Sequence, residues 1–211
     1  MHLKHPFVLG TKAIAPMRKK ILADVRANKP APLPQPQLPT ARLVELDAEA
    51  RLAENAAKSK SKVLRLAVDD SLGQVISTLY PKEQSIGVGE EMSELSDATT
   101  KRITAETSVA ELADVHLAVL RAELAVIENG ACWVSESAMG HRGLPFACEH
   151  LALLVPRRQL VETMHEAYAQ VTPNRQNFGV FIAGPSKTAD IEQSLVIGAQ
   201  GPRSLTIILT E

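Results

Sequence analysis

Apolar and polar positions along the chain alternate between two periods. Near the amino terminus Ile14, Met17, Ile21, Leu22 and Val25 recur at helical spacing, which predicts an amphipathic helix over roughly 12–28. Pro30, Pro32, Pro34, Pro36 and Pro39 follow. A ring at nearly every second position removes amide donors and fixes φ, so this stretch predicts an extended linker. Thr40 stands where it can cap a helix over 41–58, a stretch rich in Ala, Leu and Glu. Val63 to Val68 reads as a strand, Ser71 to Leu79 as a helix ending before Pro81, and Ser85 to Gly89 as a short strand. The polar run Glu90 to Thr107 carries no readable period.

From Ser108 the pattern sharpens. Ser108 and Glu111 have the spacing of a capping box for a short helix. Val115, Leu117 and Val119 alternate as a strand, and Leu124 to Ile127 forms another. Glu128-Asn129-Gly130 supplies hairpin chemistry, because Asn and Gly adopt positive φ readily, and Ala131 to Ser135 is then the returning strand. Leu151 to Val155, closed by Pro156, predicts a buried strand, and Gln159 to Gln170 the helix after it. Phe178 to Ala183 predicts a strand, Thr188 to Ile197 a helix, and Leu205 to Leu209 the last strand. Strands alternating with helices imply right-handed crossovers. The expected fold class is therefore α/β, a mainly parallel sheet flanked by helices, with a helical arm and Pro-rich linker over 1–39 and one domain over 40–211.

Composition narrows the function. Aromatics make up 3% of 211 residues, so the core must be aliphatic, which suits helices packed on a parallel sheet. The formal net charge of −1 gives no global field to gather nucleic acid or an anionic membrane. The first 29 residues are nonetheless basic, with Asp24 their only acid. A docking arm for an acidic partner or RNA and a solvated helix face both fit that bias. No aromatics interleave for base stacking, so nucleic acid is not an expected ligand. Cys132 and Cys148 are the only cysteines. Two thiols without a close Cys/His cluster build no iron–sulfur or structural zinc site, so no cofactor or metal is expected on this chain alone. No apolar run approaches ~20 residues, so no transmembrane helix is expected, and a cytoplasmic setting with reduced thiols fits.

Candidate chemistry concentrates between Gly184 and Arg203. An apolar strand stops at Gly184-Pro185, and Ser186 or Thr188 then caps the helix predicted after it. Ligands of open α/β sheets bind at the carboxyl ends of strands, where helix N-termini offer free amides, and such an end favours an anion. Gly184, Ser186, Lys187 and Thr188 are thus candidate ligands for a small anion, with Arg203 as a bidentate clamp for a carboxylate. Asp190 is a candidate for proton transfer and Glu192 shares its turn, although both also favour the helix dipole by themselves. Glu128 at its strand-end turn is a second catalytic candidate, with a solvated hairpin residue as the plainer reading. His150, beside the apolar run, is a lesser ligand candidate against the reading of a hydrogen-bonded core histidine.

Gly184-Pro-Ser-Lys-Thr-Ala-Asp-Ile-Glu192, then Leu195-Val196-Ile197-Gly198 and Gly201-Pro202-Arg203, resembles the signature of LUD-domain proteins, most closely the lactate utilization protein C (YkgG-type) group. Glu128-Asn-Gly-Ala131 and Glu149-His150-Leu-Ala lie where that family has its Glu-Thr-Gly-Thr turn and its histidine-bearing strand. Asn129 and Ala131 replace the usual hydroxyl residues, and Gln200 stands where many relatives carry histidine. The resemblance implies a fold similar to the ribose-phosphate isomerase, glucosamine-phosphate deaminase and CoA-transferase group. It further implies a role in oxidising L-lactate to pyruvate, with the redox centres on separate iron–sulfur partners. A free-standing isomerase or transferase acting on a phosphosugar, acyl-CoA or folate-like substrate is the alternative, and a homo-oligomer is compatible with either.

Overall fold

The apolar runs of the chain at 151–155 and 205–209, broken only by Thr206, form neighbouring inner strands of one sheet. The structure is a computed structural model that describes residues 11–31, 33–34, 47–81, 85–89, 92–95, 100–171, 178–189 and 195–211, with backbone only at 11–16, 188–189 and 195. The chain divides into two units, Met1–Thr40 and Ala41–Glu211. In the first, α1 (Thr11–Ala27) forms where the helical spacing predicted it, and Met17, Ile21 and Val25 on its apolar stripe are exposed.

The second unit begins with α2 (Ala48–Lys58). Asp47 caps it by accepting from the amides of Glu49 and Ala50; Thr40 and 41–46 lie outside the described residues. Then come β1 (Ser61–Arg65), α3 (Leu72–Leu79), β2 (Ile86–Val88) and β3 (Thr100–Arg102). Next are α4 (Val109–Ala113), β4 (Leu117–Arg121), β5 (Leu124–Val126), β6 (Cys132–Ser135), α5 (Glu136–Met139) and α6 (Leu144–Ala147). The capping box of Ser108 and Glu111 is formed at the start of α4. The chain continues with β7 (His150–Pro156), β8 (Leu160–Val161), α7 (Met164–Gln170), β9 (Gly179–Ile182), β10 (Lys187–Ala189), β11 (Leu195–Ile197) and β12 (Ser204–Thr210).

Six of these strands make one sheet in the order β1-β12-β7-β4-β2-β3, every neighbouring pair parallel. Leu151, Leu153, Val155, Leu205, Ile207 and Leu209 meet Leu52 and Ala56 of α2 on one face. Leu117, Val119, Ala152, Leu154 and Ile208 meet Leu72 and Ile76 of α3 on the other. Coverage on both faces explains why β7 and β12 read as continuous aliphatic runs. Each Leu or Ile buried there stabilises the fold by about 1.5–3 kcal/mol.

The remaining strands depart from the predicted pattern in three places. β9 joins a separate sheet in the order β8-β5-β6-β9, antiparallel to β6, where Phe181 packs on Trp133 with ring centroids 4.7 Å apart. The helix predicted over Gln159 to Gln170 starts later. Arg157–Gln159 is a single 3-10 turn, β8 pairs with β5, and Thr163 caps α7 by accepting from the amide of Glu166. The Thr-x-x-Glu spacing at 163–166 was the available signal for that start.

The third departure is the largest. The helix predicted over Thr188 to Ile197 is a β-hairpin, with Lys187, Thr188 and Ala189 opposite Ile197, Val196 and Leu195. Thr188, Val196 and Ile197 are β-branched, which favours strand over helix once a partner strand is present. The ends are tied by the amide of Ser186 donating to Pro202 O and that of Gly198 to Ser186 O. Among the described residues no helix is long and apolar enough to cross a membrane.

Candidate functional site

Parallel strands in register bring together the residues that precede them. Leu117, His150 and Ser204 are partners across β4, β7 and β12, so His116, Glu149 and Arg203 share one rung at the amino edge of the sheet. Backbone bonds hold this rung: the Arg203 amide donates to Glu149 O and the His150 amide to His116 O, each at 2.7 Å. Side-chain alternation then points the members of the rung to the face opposite that of His150.

Arg203 Nη1 donates to Glu149 Oε1 at 2.5 Å, with the two side chains 64% and 36% exposed. This bond holds the Glu149 carboxyl below the usual carboxylate range; burial opposes it, and the charges of Arg203, His150 and His116 assist. Beside the pair lies an open pocket of about 330 Å³. Its polar wall is Arg203, Glu149 and His116, the exposed Ala147 adds an apolar surface, and Gly198 and Gly201 border it.

On the other face His150 Nδ1 is 2.7 Å from Ser204 Oγ, and its ring lies 5.4 Å from that of Tyr80. The Tyr80 hydroxyl is 2.7 Å from Thr206 Oγ1. His150 is thus part of a half-buried polar group between β7, β12 and the end of α3.

The anion cradle predicted at Gly184 to Thr188 takes another form. The absence of a helix after Ser186 removes the row of free amides that the prediction relied on. The Ser186 amide donates to Pro202 O at 2.8 Å, and its Oγ to Gln200 O at 2.8 Å. Gly184, at φ +85°, turns tightly over the end of α2, where an added Cβ would lie 2.2 Å from Ser59 O. Lys187 is exposed. Asp190, Glu192 and the side chain of Thr188 lie outside what the structure describes.

Glu128 stands in a different neighbourhood. It is exposed, and its Oε2 accepts from the amide of Met164 at 2.9 Å, so its carboxylate serves the N-terminus of α7. Asn129 Oδ1 accepts from Ala131, and Asn55 Nδ2 donates to Ile127 O, which fixes the turn against α2. Near it Arg51 grips the buried Glu162 with both guanidinium ends. Among the described residues no hydrogen bond or ion pair joins Glu128 to Arg203.

Sequence reasoning missed Glu149 and His116. The usable signal was their position one residue ahead of aliphatic strands, the same place Arg203 holds. Cys132 and Cys148 are free thiols, both buried, and burial pushes each up to about 12. Among the described residues no group of three or more His, Cys, Asp or Glu side chains could hold a metal.

An all-parallel six-stranded sheet covered on both faces by helices defines a protein of the α/β class, here with a charged pocket at the amino edge of the sheet. The chain belongs to the LUD domain family, whose model matches residues 41–210. It is similar to lactate utilization protein C of Oceanobacillus iheyensis, at 27% identity over 49% of this chain and 46% of that protein. Lactate utilization protein C of Shouchella clausii is 30% identical over 48% of this chain and 46% of its own. These matches span about half the length of the relatives. The uncharacterized protein YkgG of Escherichia coli is 25% identical over 79% of this chain and 72% of that one. A crystal structure of a DUF162 family protein from Deinococcus radiodurans shares the fold, with a TM-score of 0.63 at 16% identity, covering 78% of this chain and 96% of that chain.

Proposed function

We propose that this chain is a component of a cytoplasmic L-lactate utilization system, binding a small anionic ligand while separate iron–sulfur proteins carry the electrons. The observation that carries the reading is the similarity to lactate utilization proteins C within a domain whose family model covers residues 41–210. Oxidation of L-lactate to pyruvate releases two electrons and two protons; in this division of labour the electrons pass to the iron–sulfur partners. The contribution of the chain is recognition. Of the ligand residues nominated from sequence, Arg203 fits that task best, because its guanidinium is exposed on a pocket wall. Gly184 and Ser186 shape the hairpin beside it, and Lys187 adds an exposed positive charge on the same hairpin.

The experiment is reconstitution. The full chain is mixed with each Cys-rich iron–sulfur protein that co-purifies with it, and reduction of an electron-accepting dye is followed with L-lactate. Activity in a mixture and in neither component alone supports the reading. Lactate oxidation by the iron–sulfur proteins at the same rate with and without this chain overturns it.

A further inference from the structure

We propose that the amino-edge pocket binds a small 2-hydroxycarboxylate at two points, its carboxylate on Arg203 and His116 and its hydroxyl on Glu149. The inference deepens the functional reading above and rests on it for the choice of L-lactate as probe. Its geometry is independent of that reading.

The charge pattern selects the ligand class. Among the described residues, Nη1 is the one guanidinium nitrogen of Arg203 with a hydrogen-bond partner. The guanidinium therefore keeps donors for a second carboxylate while still attached to Glu149. His116, exposed and lining the same pocket, offers a ring N–H in either protonation state. Glu149 works in the opposite sense. As an ionised carboxylate it only accepts, so it repels a phosphate or a dicarboxylate and welcomes a hydroxyl hydrogen. A monoanion that carries a hydroxyl next to its carboxylate satisfies both demands; a bare carboxylate satisfies one.

Shape agrees with charge. The exposed Ala147 gives an apolar surface that a methyl group would meet. About 330 Å³ holds a three-carbon acid together with ordered waters, each taking roughly 30 Å³ of liquid volume. The parallel register places all three polar side chains on one rung, so no rearrangement of the sheet is needed to assemble them.

Calorimetric titration of the full chain with L-lactate and with propionate, which lacks the hydroxyl, tests the two-point contact. The unaltered chain is expected to favour L-lactate by about tenfold, the effect of one hydrogen bond to a charged group. Arg203→Ala is expected to lose both ligands, and Glu149→Leu, which has no acceptor for the hydroxyl, to keep propionate binding while erasing the preference. Where Arg203→Ala fails to melt cooperatively, Arg203→Lys replaces it and is expected to weaken both ligands without abolishing them. The proposal is overturned if the unaltered chain binds neither acid, if removing the Arg203 guanidinium leaves binding unchanged, or if Glu149→Leu keeps the preference. Two-point binding without lactate oxidation in any reconstituted mixture would defeat the functional reading and leave this site standing. Unchanged lactate oxidation by the Arg203→Ala chain would do the reverse.

Discussion

Gly198 lies directly against Arg203: a Cβ added at position 198 would sit 2.3 Å from Arg203 Cγ and 3.1 Å from its Cα. The glycine also holds φ at +77°, a region that L side chains enter at a cost. One residue therefore turns the chain out of β11 and clears the path along which the arginine reaches the pocket.

Gly198→Ala should consequently act on the pocket more than on the fold. The left-handed backbone costs about 1–2 kcal/mol of stability. The added methyl must displace the arginine stem, and affinity for L-lactate should fall by about tenfold or more. Titration and thermal melting on the same preparation separate the two effects; a variant that melts earlier yet binds normally contradicts this account.

Gly130 makes a comparable approach to α2. It holds φ +71°, and an added Cβ would lie 2.7 Å from Ala56 Cα. Backbone cannot swing aside as a side chain does, so Gly130→Ala should lose about 2–4 kcal/mol from strain and overpacking together. Asn129→Ala removes only the bond from the Ala131 amide to Asn129 Oδ1 and should lose about 0.5–1.5 kcal/mol. Urea unfolding midpoints rank the two, and the reverse order would refute the packing argument.

The Arg203–Glu149 pair should make a pH-dependent contribution to stability. Arg203 holds the Glu149 carboxyl below its ordinary range, so the folded state binds this proton less readily than the unfolded chain. The contribution is then complete above about pH 4.3 and fades as the pH falls through the depressed folded value. The stability difference between the unaltered chain and Arg203→Ala should shrink between about pH 7 and about pH 3, and also with added salt, since the pair is exposed. A difference that grows in acid has the wrong sign.

Both thiols should be silent in the native protein. Burial pushes Cys132 and Cys148 up to about 12, which leaves roughly one thiolate in 10⁴ at about pH 8 even before access is considered. A thiol-reactive dye should label neither residue until urea unfolds the chain, and should then label both. Rapid labelling of either without denaturant would show that the core around it opens.

The sequence showed the sheet far more clearly than the pocket. Leu151 to Val155 and Leu205 to Leu209 are apolar at every position except Thr206, the pattern that a strand covered on both faces asks for. Asn129-Gly130 announced its hairpin through local backbone preference, and Gly130 takes the positive φ that the pair predicts. Ser108 and Glu111 announced their helix through reciprocal capping. In each case the cause lies within a few residues of the effect.

The hairpin of β10 and β11 was not legible in that way. Thr188 to Ile197 reads as a helix by spacing, with Ile191, Leu195 and Ile197 or Gly198 as its inward face, while the strands are selected by their pairing and by Pro202 and Ser186 closing the ends. The rung of His116, Glu149 and Arg203 was still less visible, since its members are 33 and 54 residues apart. Periodicity records which face a residue buries, because the hydrophobic effect acts on each segment separately. Which strand ends become neighbours depends on the order and register of the sheet, a collective choice of the whole core, and the meeting of these three charges followed from that choice.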